Sequence, residues 1–251
     1  MTERTFFTTL EYAWFGIAAV TLVALFFLAA PYGRHARGGW GPTMSARAGW
    51  VVMELPAALT IAICFAVRPP ASSVPWVMLA LWEAHYIQRS LVFPFLMRGG
   101  AKPMPIAIPA MAVFFNAVNG YLNGRWLTAF GHYDTSWFTD PRFVLGTAMM
   151  AIGYAINLRA DATLRHLRGP GETGYKIPQG GLYRFISSPN YFGEIIEWTG
   201  WAVLTWSVAG ASFAVWTAAN LAPRAWTHHR WYRAQFADYP ATRRALIPFL
   251  W

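Results

Sequence analysis

WTGWAVLTWSVAGASFAVWTAANLAP, residues 198–223, runs for 26 residues without a charged side chain, and the number of helices it forms decides the architecture. A helix needs about 20 apolar residues to cross the hydrocarbon core of a bilayer. The stretch is therefore one tilted helix or two short ones joined by a turn. Five further apolar runs precede it, at 12–30, 50–67, 74–97, 104–122 and 143–158. If residues 198–223 form a hairpin turning near Val208 to Ser212, the loops on one side hold fifteen Lys and Arg. Those on the other side hold four, Arg4, Arg68, Arg125 and Arg142, and Arg89 lies inside the third span. This is the asymmetry of the positive-inside rule. The sequence thus predicts an all-α integral membrane protein with seven transmembrane helices, its N-terminus outside and its C-terminus cytoplasmic. To cross twice, the hairpin must take in Asn190 to Glu197 at one end and Arg224 to His229 at the other, which carries charge to membrane depth.

Composition agrees. Of 251 residues 56% are hydrophobic and 12% charged, with 14 Trp and 18 Phe. That is about half the charged fraction of a soluble domain. A net charge of +9 would suit nucleic acid, but a nucleic-acid binder gathers its bases on one solvated face and lacks repeated apolar runs, so no such partner is expected. The one cysteine, Cys64, excludes a disulfide framework and a CxxC site, and it reads as a small buried or lipid-facing hydrophobe. The start, MTERTFFTTLEYAW, has acids beside its base and no small-residue cleavage site, so no removable signal is read. Without an internal repeat or a low-complexity linker, one domain covering 1–251 is expected.

Polar residues inside the spans are the candidates for chemistry, because lipid does not tolerate them on an outward face. The third span carries Glu83, His85 and Arg89, and the second carries Glu54 near its start. Glu83 and Tyr86 share a helix face, as do Tyr86 and Arg89. A buried acid beside a phenol can hydrogen-bond a carbonyl oxygen that becomes negative during reaction, worth about 3–4 kcal/mol per oxyanion donor; it can equally serve only to join helices. Asn116 and Asn119 lie three apart in the fourth span.

The longest polar interruption is Asn157 to Glu197. Its RGPGETG, 168–174, fits GxGxxG, but no strand precedes it, so it is not read as a Rossmann fingerprint. Its glycines permit close backbone approach, and Arg165, Arg168, Lys176 and Arg184 surround it. That suits phosphates, or the anionic lipid of the cytoplasmic leaflet. Glu194 and Glu197 share a helix face with Asn190 one turn earlier, and Arg224 and His228 are four apart on the next helix. These five either form an ion-pair cluster closing the hairpin or line a polar ligand. His228, His229 and the glutamates match no standard helical zinc spacing, so no metal is expected.

The run LRGPGETGYKIPQGGLYRFISSPNYFGEIIEWTGWA, with APRAWTHHRWYRAQFADYPATRRALIPFLW and the earlier EAHYIQRS and ELP, closely resembles the steroid 5α-reductase family, here in a bacterial-type form. The resemblance covers most of the chain from about Tyr32, and the IPQGGLY, GEIIEW and HHRWY blocks are specific. It implies a seven-helix membrane oxidoreductase acting on CH–CH donors, which uses NADPH to reduce the 4,5 double bond of 3-oxo-Δ4-steroids. By the same resemblance Glu54 and Tyr86 form the catalytic pair at the substrate carbonyl. Asn157, Asp161, Arg168, Tyr175, Asn190, Glu194, Arg224, His228 and Tyr232 match NADPH-holding positions, to which Arg89, Arg98 and Lys176 are added. Trp50, Met53 and Trp216 are expected to line the substrate cavity; Met53 stands where the family commonly has Gln, which removes an amide from the carbonyl's surroundings. The steroid part is expected mainly in 1–122 and the NADPH part mainly in 143–251. Partners are a hydrophobic enone and membrane lipid, with no obligate protein partner, and the expected location is a bacterial inner membrane with the cofactor site facing the cytoplasm. Sterol and polyprenol reductases, isoprenylcysteine methyltransferases that use S-adenosylmethionine, and a non-enzymatic steroid-binding protein remain alternatives.

Overall fold

The computed structural model describes residues 1–251 except 30, 32, 170, 171 and 173, so Gly171 of the glycine-rich loop lies outside the described residues. The described chain is almost wholly helical: α1 (Glu3–Phe27), α2 (Ala46–Val67), α3 (Ser73–Ile87), α4 (Phe93–Leu96), α5 (Ala107–Arg125), α6 (Pro141–His166), α7 (Pro189–Thr205) and α8 (Val208–Gln235). Two three-residue strands, β1 (Thr43–Ser45) and β2 (Pro103–Pro105), pair antiparallel. Among the described residues three helices, α1, α2 and α6, are long and apolar enough to cross a membrane. Many of their outward side chains are apolar, among them Val20, Val23 and Phe27 on α1, Leu59, Ile63 and Val67 on α2, and Val144, Leu145 and Ile152 on α6, with exposed charge towards the helix ends at Glu3, Arg4, Arg47 and Arg159. Buried polar residues include His85, Arg89, Asn116, Asn119, Asn157, Asp161 and Glu197. Apolar outside and polar inside is the distribution a bilayer selects.

The chain divides into two compact units. The first comprises residues 1–11, 30–144 and 205–210, and the second 12–29, 145–204 and 211–251.

In the first unit Ser45 caps α2, its hydroxyl accepting from Ala48 N at 3.3 Å. Arg68 ends the helix before Pro69 and Pro70, and Ser72 caps α3 by accepting from Val74 N at 3.2 Å. A π-helical turn, Gln88–Val92, follows α3. Its cause is Pro94, which has no N–H to return to the Ser90 carbonyl, so the chain widens by one residue before it. Tyr86 O, the usual partner of the Ser90 amide, instead receives the Ser90 hydroxyl at 2.6 Å. The strands were not foreseen, since Pro-Met-Pro offers few ladder donors. They nevertheless join the starts of α2 and α5, and Met104 packs there with Ala46, Met53, Ile108 and Trp50. Glu3 and Arg125 form a two-pronged ion pair at 2.7 and 3.0 Å.

α2 and α5 meet at glycines. A Cβ on Gly120 would lie 2.9 Å from Thr60 Cβ, and one on Gly124 would lie 2.9 Å from Cys64 Sγ. In the second unit α6 and α7 approach more closely still. A Cβ on Gly193 would lie 2.6 Å from Gly153 O, and one on Gly200 would lie 2.7 Å from Gly146 O. Seven residues separate the glycines on each helix, two full turns, so both pairs sit on one face and the backbones touch.

The hairpin turn comes earlier than the sequence suggests, at Trp206 and Ser207 rather than at Val208 to Ser212. Trp206 takes a left-handed φ of 45°, and the Ser207 hydroxyl caps α8 by accepting from Gly210 N at 2.8 Å.

Candidate active site

Each unit gathers its own set of polar side chains. In the first, Tyr86 is buried on α3, with its ring 5.0 Å from those of Trp82 and His85. Trp82 is fixed in turn by donating from Nε1 to Ala57 O at 3.2 Å. The π turn re-aims the next residues: Arg89 is buried, with its guanidinium 4.9 Å from the Trp50 ring and 4.4 Å from the Phe93 ring. Cation–π contact lets a guanidinium lie among apolar groups. Glu54 is half-buried on α2, one residue beyond the buried Met53 and two before Pro56, while Arg98 is exposed after α4. Asn116 crosses from α5 to donate to Met53 O at 2.6 Å. Thus Trp50 meets Arg89 and packs with the Met53 cluster, while Tyr86 lies against Trp82 and His85 on α3 and Glu54 follows Met53 on α2.

In the second unit the close α6–α7 contact decides the geometry. Asn157 follows Gly153 by one turn, and Gly193 lies against its backbone: a Cβ on Gly193 would be 2.8 Å from Asn157 N. The short Asn157 side chain can therefore reach across to α7. Its Nδ2 donates to Asn190 O at 3.1 Å and to Glu194 Oε2 at 3.2 Å, and Asn190 Nδ2 donates to Asp161 Oδ1 at 3.4 Å. Four predicted residues, Asn157, Asp161, Asn190 and Glu194, are so joined in one network. Asn157 Oδ1 is buried and has no hydrogen-bond partner among the described residues. A buried unpaired acceptor is costly, and a ligand N–H would satisfy it.

The other expected cofactor positions fall into smaller groups. Tyr191 is the link for two of them: Arg224 lies 5.3 Å over its ring, and the His228 ring is 5.4 Å from it. Arg168 Nη1 donates to Gly174 O at 3.1 Å, and Gly174 takes a φ of 88° that favours glycine. Lys176 Nζ and Gly169 N both hold Glu172 Oε2 at 2.6 Å, so a carboxylate collects the donors that would suit a phosphate oxygen. Tyr175 packs edge-on against Trp231 at 4.8 Å. Tyr232 stacks on Tyr239 at 5.3 Å and 7°. Trp216, expected at the substrate, is buried against Trp14, donating from Nε1 to Trp14 O at 2.9 Å.

Sequence reading missed a third cluster. Ser187 Oγ lies 2.7 Å from both His229 Nδ1 and the Tyr239 hydroxyl, and it also donates to Arg244 O at 3.1 Å. Burial pushes the Tyr239 phenol up from its ordinary value. Buried Arg243 donates to Pro178 O at 3.1 Å and to Gln179 Oε1 at 3.3 Å, tying the IPQGG segment to the chain after α8. No regular spacing announces these contacts, which join residues 42 to 65 apart.

Residues 102–251 match the family model described as 3-oxo-5-alpha-steroid 4-dehydrogenase. The chain is 46% identical to 3-oxo-5-alpha-steroid 4-dehydrogenase 1 of Bos taurus, over 100% of this chain and 99% of that protein. It is 47% identical to the Homo sapiens protein of the same name, over 87% and 85% respectively. With Steroid 5-alpha-reductase DET2 of Arabidopsis thaliana it shares 43% identity over 92% of this chain and 91% of that one. Near-full-length identity to animal and plant relatives alike means that the chain belongs to the 3-oxo-5-alpha-steroid 4-dehydrogenase, or steroid 5-alpha-reductase, family.

Proposed function

We propose that the protein is a membrane-embedded oxidoreductase that reduces the 4,5 double bond of a 3-oxo-Δ4-steroid to the 5α-3-oxosteroid with NADPH. The observation that carries this reading is the network joining Asn157, Asp161, Asn190 and Glu194, formed in a chain of this family from residues up to 37 positions apart. Its donor set fits the cofactor. The unpartnered Asn157 Oδ1 can accept an amide N–H, and Arg168, Lys176 and Gly169, which donate to Gly174 O and Glu172 in this structure, are donors that a phosphate oxygen would have to take over from them. Tyr175, Arg224, His228 and Tyr232 complete the proposed binding set in the second unit. When bound, NADPH supplies the hydride that enters at C5.

The chain's own residues polarise the enone. Tyr86, oriented by Glu54, donates a hydrogen bond to the 3-oxo oxygen and stabilises the negative charge that collects there as C5 is reduced; C4 then takes a proton. Trp50 and Met53 are assigned to the steroid in the first unit, and Met53 supplies shape without an amide. The steroid part lies mainly in 1–122 and the cofactor part mainly in 143–251 of one reductase domain. Seven spans, with the basic loops and the cofactor-binding segments on the cytoplasmic side, follow from the fifteen-to-four distribution of Lys and Arg.

The test is to incubate the purified protein in detergent with NADPH and a panel of enones, following nicotinamide absorbance and product stereochemistry. A 5α product is expected from 3-oxo-Δ4-steroids. In Tyr86→Phe, turnover should fall about 10²-fold or more while NADPH affinity holds, by analogy with loss of an oxyanion donor. An unchanged rate would remove Tyr86 from the reaction, and binding of S-adenosylmethionine in place of NADPH would replace reduction by methyl transfer.

A further inference from the structure

After α8 the chain folds back along it. Arg244 N donates to Phe185 O and Ser187 N to Arg244 O, both at 2.8 Å, and Leu246 N and Ile247 N both donate to Trp251 O, at 2.8 and 2.6 Å. This return borders a half-open pocket of about 180 Å³ lined by Trp226, His229, Arg233, Arg243, Arg244 and Trp251, among others. No Asp or Glu lines it. Trp226 stacks on Trp251 at 6.2 Å and 13°, and on His229 at 6.1 Å and 24°, which makes a continuous aromatic wall. Arg243 is buried and occupied with Pro178 and Gln179. Arg233 and Arg244 are exposed and have no carboxylate partner among the described residues. Three arginines thus line the pocket, two of them exposed and one buried.

Volume limits what enters. Sites for drug-sized ligands run to about 300–1,000 Å³, so this cavity is too small for a steroid or a dinucleotide and admits a phosphate group on a short stem. An apolar tip adjoins it. Phe249 and Leu250 are 77% and 75% exposed, and Leu250 also lines the cavity. Phe249 is held at φ 65°, a left-handed conformation that a non-glycine residue keeps only where its surroundings impose it. Its ring packs at 5.1 Å on Phe185, itself 40% exposed. A free phosphate ion would have no use for this tip. Cationic side chains beside exposed aromatic and aliphatic ones are the pattern that engages the headgroup and acyl boundary of an anionic leaflet.

We propose that the fold-back after α8 is a docking site for the phosphate headgroup of an anionic phospholipid, held by Arg233 and Arg244 with Phe249 and Leu250 among the acyl chains. None of the residues lining the pocket is among those assigned to NADPH and steroid.

Native mass spectrometry of the full chain in detergent, titrated with phosphatidylglycerol or phosphatidylcholine, tests this. The wild-type protein should hold phosphatidylglycerol about tenfold or more tighter. The double variant Arg233→Gln with Arg244→Gln should lose that preference, since each basic side chain near a leaflet contributes a several-fold gain. Both arginines are exposed, so the variant is expected to fold; Leu250→Ser, which keeps both charges, should weaken the two lipids alike. Equal binding of the two lipids by wild type overturns the proposal. So does displacement of phosphatidylglycerol by equimolar sodium phosphate, which would mark a free-phosphate site. A matching loss of NADPH affinity in the double variant would assign the arginines to the cofactor and also overturn it.

Discussion

The α2–α5 and α6–α7 contacts are built alike and end differently. In each, glycines let two helices close up, and an asparagine one turn from a glycine reaches across. At α2–α5 glycine meets side chains, Thr60 and Cys64, and Asn116 ends on the backbone oxygen of Met53. At α6–α7 glycine meets glycine, and Asn157 passes the Asn190 carbonyl to reach the Glu194 carboxylate, with its own Oδ1 left open. The first asparagine is absorbed into packing. The second joins a buried polar network in which its own Oδ1 stays unpaired. The nearest facing backbone atom lies 3.3 Å from an added Cβ at Gly120 and Gly124 but 2.4–2.7 Å at the four α6–α7 glycines, and a side chain as short as asparagine has little slack to make up such a difference.

The sharpest way to break this comparison is to force α6 and α7 apart. Gly153→Leu places a side chain against the α7 backbone, which cannot rotate away, and should cost about 4 kcal/mol or more. A fall in Tm of roughly 8–16 °C in detergent is expected, and an unchanged Tm would show that the backbones do not touch. Next come the asparagines themselves. Asn157→Ala should raise the Kd for NADPH about tenfold, whereas Asn116→Ala should lower stability by about 1–3 kcal/mol and leave that Kd alone. Calorimetric titration of both variants checks this, and a matching rise in Kd would abolish the distinction.

Gly120→Ala should cost less, about 1–2 kcal/mol, because the nearest facing backbone atom, Ala57 O, lies 3.3 Å from the new Cβ against 2.4 Å at Gly153, although Thr60 Cβ at 2.9 Å must still give way; thermal melting beside Gly153→Ala compares the two contacts, and equal losses count against the difference. The smallest effect belongs to the surface before α6. The Arg142 guanidinium and backbone N–H, donating to Asp140, pull its carboxyl from 3.8 down to about 2. A depressed folded value stabilises fully above pH 4, and that contribution is lost as the pH falls through about 2. Wild-type Tm should therefore drop slightly more steeply than that of Asp140→Asn between pH 5 and 2. Equal slopes would remove the pair from the stability of the first unit.

Much of this was legible in the residues, unevenly. Apolar runs interrupted by Glu83, His85 and Arg89 announced a helical membrane protein with a polar interior, and two of those three are buried. The hairpin at 198–223 was readable from charge sidedness, but its turn was not, since Trp206 enters a left-handed conformation that no turn residue advertises. The β1–β2 ladder was hidden by the prolines that flank Met104. The π turn had a visible cause in Pro94, though only the structure shows that it sets Arg89 against Trp50 and Phe93.

What the sequence by itself determined is the class, the apolar segments and the family, because composition, charge sidedness and specific blocks are properties of order along the chain. Spacing also put Glu194 beside Asn190 on one helix. Only the tertiary structure decided that Asn157 meets both, that Ser187 lies between His229 and Tyr239, and that the chain after α8 closes on three arginines. Periodicity determines which face of a helix a residue occupies; which residue it meets depends on how closely the next helix packs, and at α6–α7 that is decided by glycines offering nothing but backbone to one another.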